Sequence, residues 1–248
     1  MMKKRYNVTA EQVMSAFLRS HTAATELTAQ QPMNNIIRCT VTALVQALSG
    51  NQQMELSSYD EAHALPSPEA LRISLRTQQI IAYETGVVNT VDPLAGSYYV
   101  EALTDEIEDR VTDLFNRVQS MGGAVSAIEQ GFMTREIAKS AYQRLKEVEN
   151  GERVVVGLNR YQVDEPVRLQ ILKVDPKEEE RQIQKLQKLR MERDNSKVKS
   201  GLKQLGEAAR EGVNLVQPIL PAVQAYATIG EICDTLKEVF GEYKETAY

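Results

Sequence analysis

Apolar residues recur at helical spacing through most of the chain. Leu71, Leu75, Gln78 and Ala82 follow one helical face, and Ser67-Pro68-Glu69 supplies its start. The serine caps, the proline suits the first turn, and the acid favours the positive end of the dipole. Gly86 ends this element. Ile107, Val111, Leu114, Phe115 and Val118 make a second stripe, with Thr104 as the expected cap and Gly122-Gly123 as the stop. A third helix carries Ile137, Ala141, Leu145 and Val148 and stops at Asn150-Gly151. Asp175-Pro176-Lys177-Glu178 opens a charged helix to about Arg193, and Thr228-Ile229-Gly230-Glu231 forms a capping box ahead of Ile232, Leu236 and Val239. Extended patterns are fewer: 53–56, 154–156 and 167–174, where β-branched residues suit a pleated surface. Before Gly151 extended segments alternate with helices, an α/β signature; after it, two short strands lead into about three helices. The expected division is therefore 1–150 and 151–248.

Composition narrows the function. A net charge of −5 over 248 residues gives no basic field for nucleic acid. Cys39 and Cys233 fit no disulfide or metal pattern, which points to a reducing, cytoplasmic setting. The basic start leads into Asn7-Val8-Thr9 rather than an apolar run, so no signal peptide is expected, and no apolar stretch is long enough to span a membrane. With only His21 and His63, imidazole acid–base chemistry and metal ligation have little to draw on, and no phosphate-binding glycine loop occurs. Asp60 and Glu61 would point apart on a helix, which makes them a solvated pair or a helix start. His63 reads as a packed or capping histidine. Leu27–Asn35 crowds amides beside Pro32 ahead of the apolar helix 36–48. These amides either cap that helix through Asn34 or Asn35, which composition favours, or order a loop near a ligand. Asp92–Tyr99 reads as a turn-rich loop.

Several long segments carry a resemblance: LTAQQPMNN at Leu27–Asn35, LRTQQIIAYETG at Leu75–Gly86, VDPLAGSYYVEALTDEIE at Val91–Glu108 and MGGAVSAIEQGF at Met121–Phe132. RVVVGLNRYQ at Arg153–Gln162 and YATIGEICDTLKEVFGEY at Tyr226–Tyr243 continue it. In this order they resemble methylmalonyl-CoA mutases, the cobalamin-dependent acyl-CoA mutases. The resemblance implies the last part of a (β/α)8 TIM-type barrel followed by a mainly helical linker. It implies adenosylcobalamin as cofactor, supplying a radical that lets the carbonyl-CoA group of an acyl-CoA migrate to the adjacent carbon. Gln52, Gln78 and Glu84 align with residues of the family's cavity and cofactor region. Without gaps Arg19 takes the position of the family's active-site histidine; a two-residue shift would place His21 there. Where the family reads His-Thr-Asn, this chain reads Glu-Leu-Ser from Glu55. The family's cobalt-ligating DxHxxG motif has no counterpart, so partner chains are expected to supply the cobalamin domain and the rest of the barrel. The alternative is a non-catalytic structural or interaction subunit derived from a mutase.

Overall fold

The computed structural model describes Lys3, residues 6–11, Ser15, residues 17–164, Pro166 and residues 169–244. The chain is mainly helical and divides into two compact units, Met1–Leu172 and Lys173–Tyr248.

In the first unit two three-residue strands, β1 (Arg19–His21) and β2 (Gln53–Glu55), pair in parallel, with Arg19 opposite Gln53 and His21 opposite Glu55. Parallel neighbours need a crossover. Here it contains α1 (Asn34–Leu48), and α2 (Pro68–Glu84) follows β2. Successive strand residues point to opposite faces. Met54 packs against a core of Cys39, Ala43, Leu56 and Ile81, whereas Arg19, His21, Gln53 and Glu55 share the exposed face. β1 escaped the sequence reading because Arg-Ser-His carries no apolar alternation.

α2 begins as its residues dictate: the Ser67 hydroxyl accepts from the Ala70 amide, and Gly86 takes the left-handed conformation at φ +72° beyond the last turn. α3 (Tyr98–Ser120) starts earlier than expected. Ser97, not Thr104, caps it, because Pro93 and Gly96 break the chain just before Ser97 and nothing interrupts the helix afterwards. Thr104 lies inside the helix and donates to the Val100 carbonyl at 2.7 Å. α4 (Ala124–Glu129) and α5 (Phe132–Glu149) follow. They close a small core of Val118, Ala127 and Phe132, with the Arg117 guanidinium 4.8 Å from the Phe132 ring centre.

The strand expected at 154–156 is absent: only a single bridge joins Val156 to Arg160, around a turn at Gly157. Residues 169–174 are likewise irregular, and Val167 and Arg168 lie outside the described residues. β-Branched residues favour a sheet only where a neighbouring strand offers a ladder. The segment is instead held to the first unit. Arg38 donates to the Val156 carbonyl at 2.7 Å and Gln31 to the Tyr161 carbonyl at 2.9 Å. The compact unit accordingly runs on past Gly151 to Leu172.

The second unit contains α6 (Pro176–Glu192), α7 (Asn195–Glu211), α8 (Val216–Gln224) and α9 (Ile229–Phe240). Asp175 caps α6 through the Lys177 amide. α7 buries Val198, Leu205, Ala208 and Ala209. A glycine at 201 permits close approach of α8, since a Cβ there would meet the Ala222 Cα at 2.9 Å. The capping box of α9 forms as read: Thr228 and Glu231 exchange side-chain-to-backbone bonds. Arg193, 5% exposed, grips the Glu231 carboxylate at 2.7 and 2.5 Å. Hydrogen bonding from Arg193, aided by Thr228, pulls that carboxyl from an ordinary 4.5 down to about 2. Among the described residues, no helix is long and apolar enough to cross a membrane.

Candidate functional site

His21 and Glu55 are the last residues of their strands, and ligands of parallel α/β sheets gather at strand carboxyl ends. A clasp of buried groups fixes this edge. The Thr22 amide donates to the Glu55 carbonyl at 3.0 Å, the Ser57 amide to the Thr22 hydroxyl at 2.7 Å, and the Ser57 hydroxyl to the Thr22 carbonyl at 3.0 Å. On the exposed face the Arg19 guanidinium meets the Glu55 carboxylate at 2.5 Å. A groove of about 510 Å³ opens at this edge, lined by His21, Glu55, Ser57, Ser58 and Glu61 together with apolar Leu65 and Leu71.

The amide-rich segment does not cap α1 but ties two loops together. Met33, not Asn34 or Asn35, stands at the α1 start. Asn35 is fully buried. Its carbonyl oxygen accepts from the Thr28 amide and from Arg38, and its amide nitrogen donates to the carbonyls of Thr28 and Tyr59. One side chain thus stitches the loop before α1 to the loop after β2. Asp60, 3% exposed, accepts from the Ser67 amide at 2.9 Å. Burial pushes its carboxyl up, but the polar groups of Ser58 and Ser67 around it outweigh that and leave it below the ordinary carboxylate range. Asp60 and Glu61 are neither a helix start nor a solvated pair: both lie in a turn, where buried Asp60 serves the fold and Glu61 faces the groove. His63 Nε2 lies 2.8 Å from the Ala29 carbonyl, which makes Nε2 the protonated nitrogen of a packing histidine.

Arg19 and His21 lie on one sheet face, and His21 lines the groove. Gln52 precedes β2, at the end of the sheet away from His21, and its carbonyl oxygen accepts from the Leu18 amide at 2.7 Å. Gln78 is half-buried on α2, with Nε2 3.5 Å from the Ser74 carbonyl, and Glu84 is exposed at the end of that helix. None of these three lines the groove that holds His21. Sequence reasoning missed Ser57 and Ser58 as groove residues, although their place just beyond a strand end was a usable signal. It also missed a cleft of about 610 Å³ where Arg38, Arg144 and Arg153 meet Ile37, Val41 and Val155. Those residues lie far apart in sequence, and no local pattern joins them.

The donor set bears on the implied cofactor. A cobalamin-type group needs a cobalt ligand. His63 is committed to Ala29, and among the described residues no three His, Cys, Asp or Glu side chains come together to hold a metal ion. His63 therefore does not fit the role of cobalt ligand.

Comparison with known proteins gives the family. A profile of the methylmalonyl-CoA mutase family matches residues 1–242. The chain is 40% identical over 247 residues to the 2-hydroxyisobutanoyl-CoA mutase large subunit of Aquincola tertiaricarbonis, covering 99% of this chain and 44% of that protein. It is 39% identical to the methylmalonyl-CoA mutase of Rhizobium meliloti, covering 94% and 33%. It is 37% identical to the mitochondrial methylmalonyl-CoA mutase of Homo sapiens, covering 93% and 31%. The chain therefore spans between a third and a half of the length of the bacterial relatives and slightly less of the human one, and it belongs to the methylmalonyl-CoA mutase family, whose named members are isomerases.

Proposed function

We propose that this chain forms part of an acyl-CoA mutase, contributing two strand–helix units to a substrate barrel and a helical segment that follows it. The family match over residues 1–242 carries this reading. The β1–α1–β2–α2 order supports the barrel part, because each unit of a (β/α)8 barrel repeats it. Two strands cannot close a barrel. Polypeptide supplying the remaining strands, and a cobalamin-binding domain, complete the enzyme. The overall reaction is an isomerisation: the bond from one carbon to the carbonyl-CoA group breaks and re-forms on its neighbour, while a hydrogen moves the other way.

The groove at the ends of β1 and β2 is the part of the acyl site that this chain supplies. His21 offers hydrogen bonds to the acyl group, and Leu65 and Leu71 give it apolar contact. Gln78 and Glu84 on α2, and Gln52 before β2, are assigned to the cofactor side of the completed cavity by their alignment with the family. No cobalt ligation is assigned to this chain. The setting is cytoplasmic, in keeping with the free thiols of Cys39 and Cys233.

Reconstitution tests the reading. The chain is mixed with polypeptides carrying the rest of a mutase barrel and the cobalamin domain, and CoA thioester isomerisation is followed. Turnover is expected only with all components present, and the chain alone is expected to leave the visible spectrum of adenosylcobalamin unchanged. A second reading, a non-catalytic subunit, is favoured by Glu55 in place of the family's histidine. It predicts a stable complex whose turnover survives replacement of His21.

A further inference from the structure

The exposed face of β1 and β2 is charged in an unusual way for a surface that meets an acyl group. Glu55 occupies the Arg19 guanidinium: the two charged groups are 2.5 Å apart across the two strands. The register fixes this pairing, because Arg19 and Glu55 sit on the same face one pair apart along the ladder. A second carboxylate, Glu61, also lines the groove, and among the described residues no lysine or arginine does. With Arg19 neutralised by Glu55, the fixed charge left to an arriving acyl chain is that of Glu61.

We propose that Glu55 is a specificity-determining residue: by holding Arg19 it makes the groove accept an uncharged, hydroxyl-bearing acyl chain and refuse one that carries a second carboxylate. The inference rests on the mutase reading and deepens it. A carboxylate only accepts hydrogen bonds, and at the groove wall it meets the like charge of Glu61 with no lysine or arginine to offset it. A hydroxyl donates to a carboxylate in a charge-assisted bond, and Glu61 stands on the groove wall as the acceptor. Sites built to bond a hydroxyl discriminate strongly, because a substrate without one leaves their polar groups unpaired. Like charges 4–6 Å apart in a partly shielded site cost roughly 10- to 100-fold in kcat/KM. Arg19 alone would reverse the preference, since its planar fork matches a carboxylate. Glu55 is therefore the residue on which the sign of the selectivity turns.

The test uses the complete mutase that contains this chain, loaded with adenosylcobalamin, and two probes: 2-hydroxyisobutanoyl-CoA and methylmalonyl-CoA. The wild type is expected to favour the hydroxyacyl thioester by at least roughly 10-fold in kcat/KM. Glu55→Gln frees Arg19 and should move the ratio by roughly 100-fold toward methylmalonyl-CoA. The double variant Arg19→Gln/Glu55→Gln should lose that gain. A wild-type preference for methylmalonyl-CoA, or a ratio unmoved by Glu55→Gln, overturns the inference while leaving the mutase reading intact. Turnover of neither thioester by the assembled, loaded enzyme overturns both. A measurement that needs no substitution runs beside these. As competitive inhibitors of the wild type, malonyl-CoA should bind at least roughly 10-fold more weakly than 3-hydroxypropanoyl-CoA, and equal inhibition constants contradict the proposal.

Discussion

Helices α1 and α7 are of similar length and are finished to different degrees. α7 has one buried face, Val198, Leu205, Ala208 and Ala209, and an opposite face of Lys199, Lys203 and Glu207 in solvent. That is the pattern of a surface helix whose partners are all present. α1 buries Asn35, Cys39, Ala43 and Gln46, yet on its other side Ile37, Val41 and Val45 stand 64%, 58% and 58% exposed. A helix that is apolar on two sides belongs inside something larger. α3 repeats the pattern with Leu103, Ile107, Val111 and Leu114, all exposed at one-turn spacing. α7 is thus a helix complete in itself, whereas α1 and α3 present uncovered apolar faces. On the proposed reading these are the faces of barrel helices whose neighbours lie on other polypeptide; the chain spans less than half the length of its relatives.

The sharpest way to break the α1 side of this comparison is at Asn35. Asn35→Ala would leave the Thr28 amide and the carbonyls of Thr28 and Tyr59 buried without partners. Each such group costs about 1–3 kcal/mol. A loss of about 3–5 kcal/mol is expected, read as loss of hydrogen-exchange protection in α1 and α2. Full protection would mean that the loops on either side are held by something else.

On the α7 side the vulnerable point is close packing. Gly201→Val would force side-chain atoms into the Ala222 backbone, which can yield only by moving α8. Overpacking of this kind costs about 1–3 kcal/mol, and chemical denaturation should show it. Gly212→Ala is the contrast. No neighbour lies near its Cβ, so its cost, about 1 kcal/mol, comes from the left-handed backbone at φ +71° alone.

How much of this was legible in the sequence differs between the two units for the same physical reason. Capping is local, so Ser67, Asp175, Thr228 and Glu231 were read correctly from a few neighbouring residues. Thr104 failed because two residues could cap, and only the break at Pro93 and Gly96 chose between them. The strand at 154–156 failed because strand formation depends on a partner that local sequence does not reveal. At the candidate site, the alignment singled out Arg19, His21 and the altered position 55. Their convergence, however, comes from the strand register, a contact between residues 36 apart. Asn35 was visible as an unusual amide, but its partners at Thr28 and Tyr59 were not.

The ion pair under the α9 cap gives a pH test that separates the units. Glu231 is held at about 2 against an ordinary 4.5, so it stabilises the folded second unit fully above about pH 4.5. That contribution is lost as the pH falls from 4.5 toward 2. Glu231→Gln removes it and strands the nearly buried Arg193 charge. The cost is about 2 kcal/mol at neutral pH, less than for a fully buried pair because Glu231 is 25% exposed. Acid unfolding of the variant, followed by exchange in α7 and α9, should show a flatter dependence between pH 4.5 and 2. An unchanged slope would assign the acid sensitivity to another carboxylate of the second unit, Asp194 at the α7 cap.

The smallest effect on stability is expected where the comparison began. Ile37→Ser with Val41→Ser removes two exposed apolar groups from α1 and leaves its buried face untouched. Surface changes of this kind stay within about 0.5 kcal/mol per site, and serine adds only its weaker helix propensity. The melting temperature of the isolated chain should therefore barely move. Self-association should fall, because the stripe is the kind of contiguous apolar patch that drives it, and light scattering over a concentration series reads this directly. Assembly with the polypeptide that completes the barrel should weaken sharply in the same variant, since each buried aliphatic side chain is worth about 1.5–3 kcal/mol when water is removed from it. A variant that melts several degrees lower on its own would place Ile37 and Val41 inside the chain's own core. One that assembles as well as the wild type would mean that nothing covers α1, and the contrast with α7 would lose its explanation.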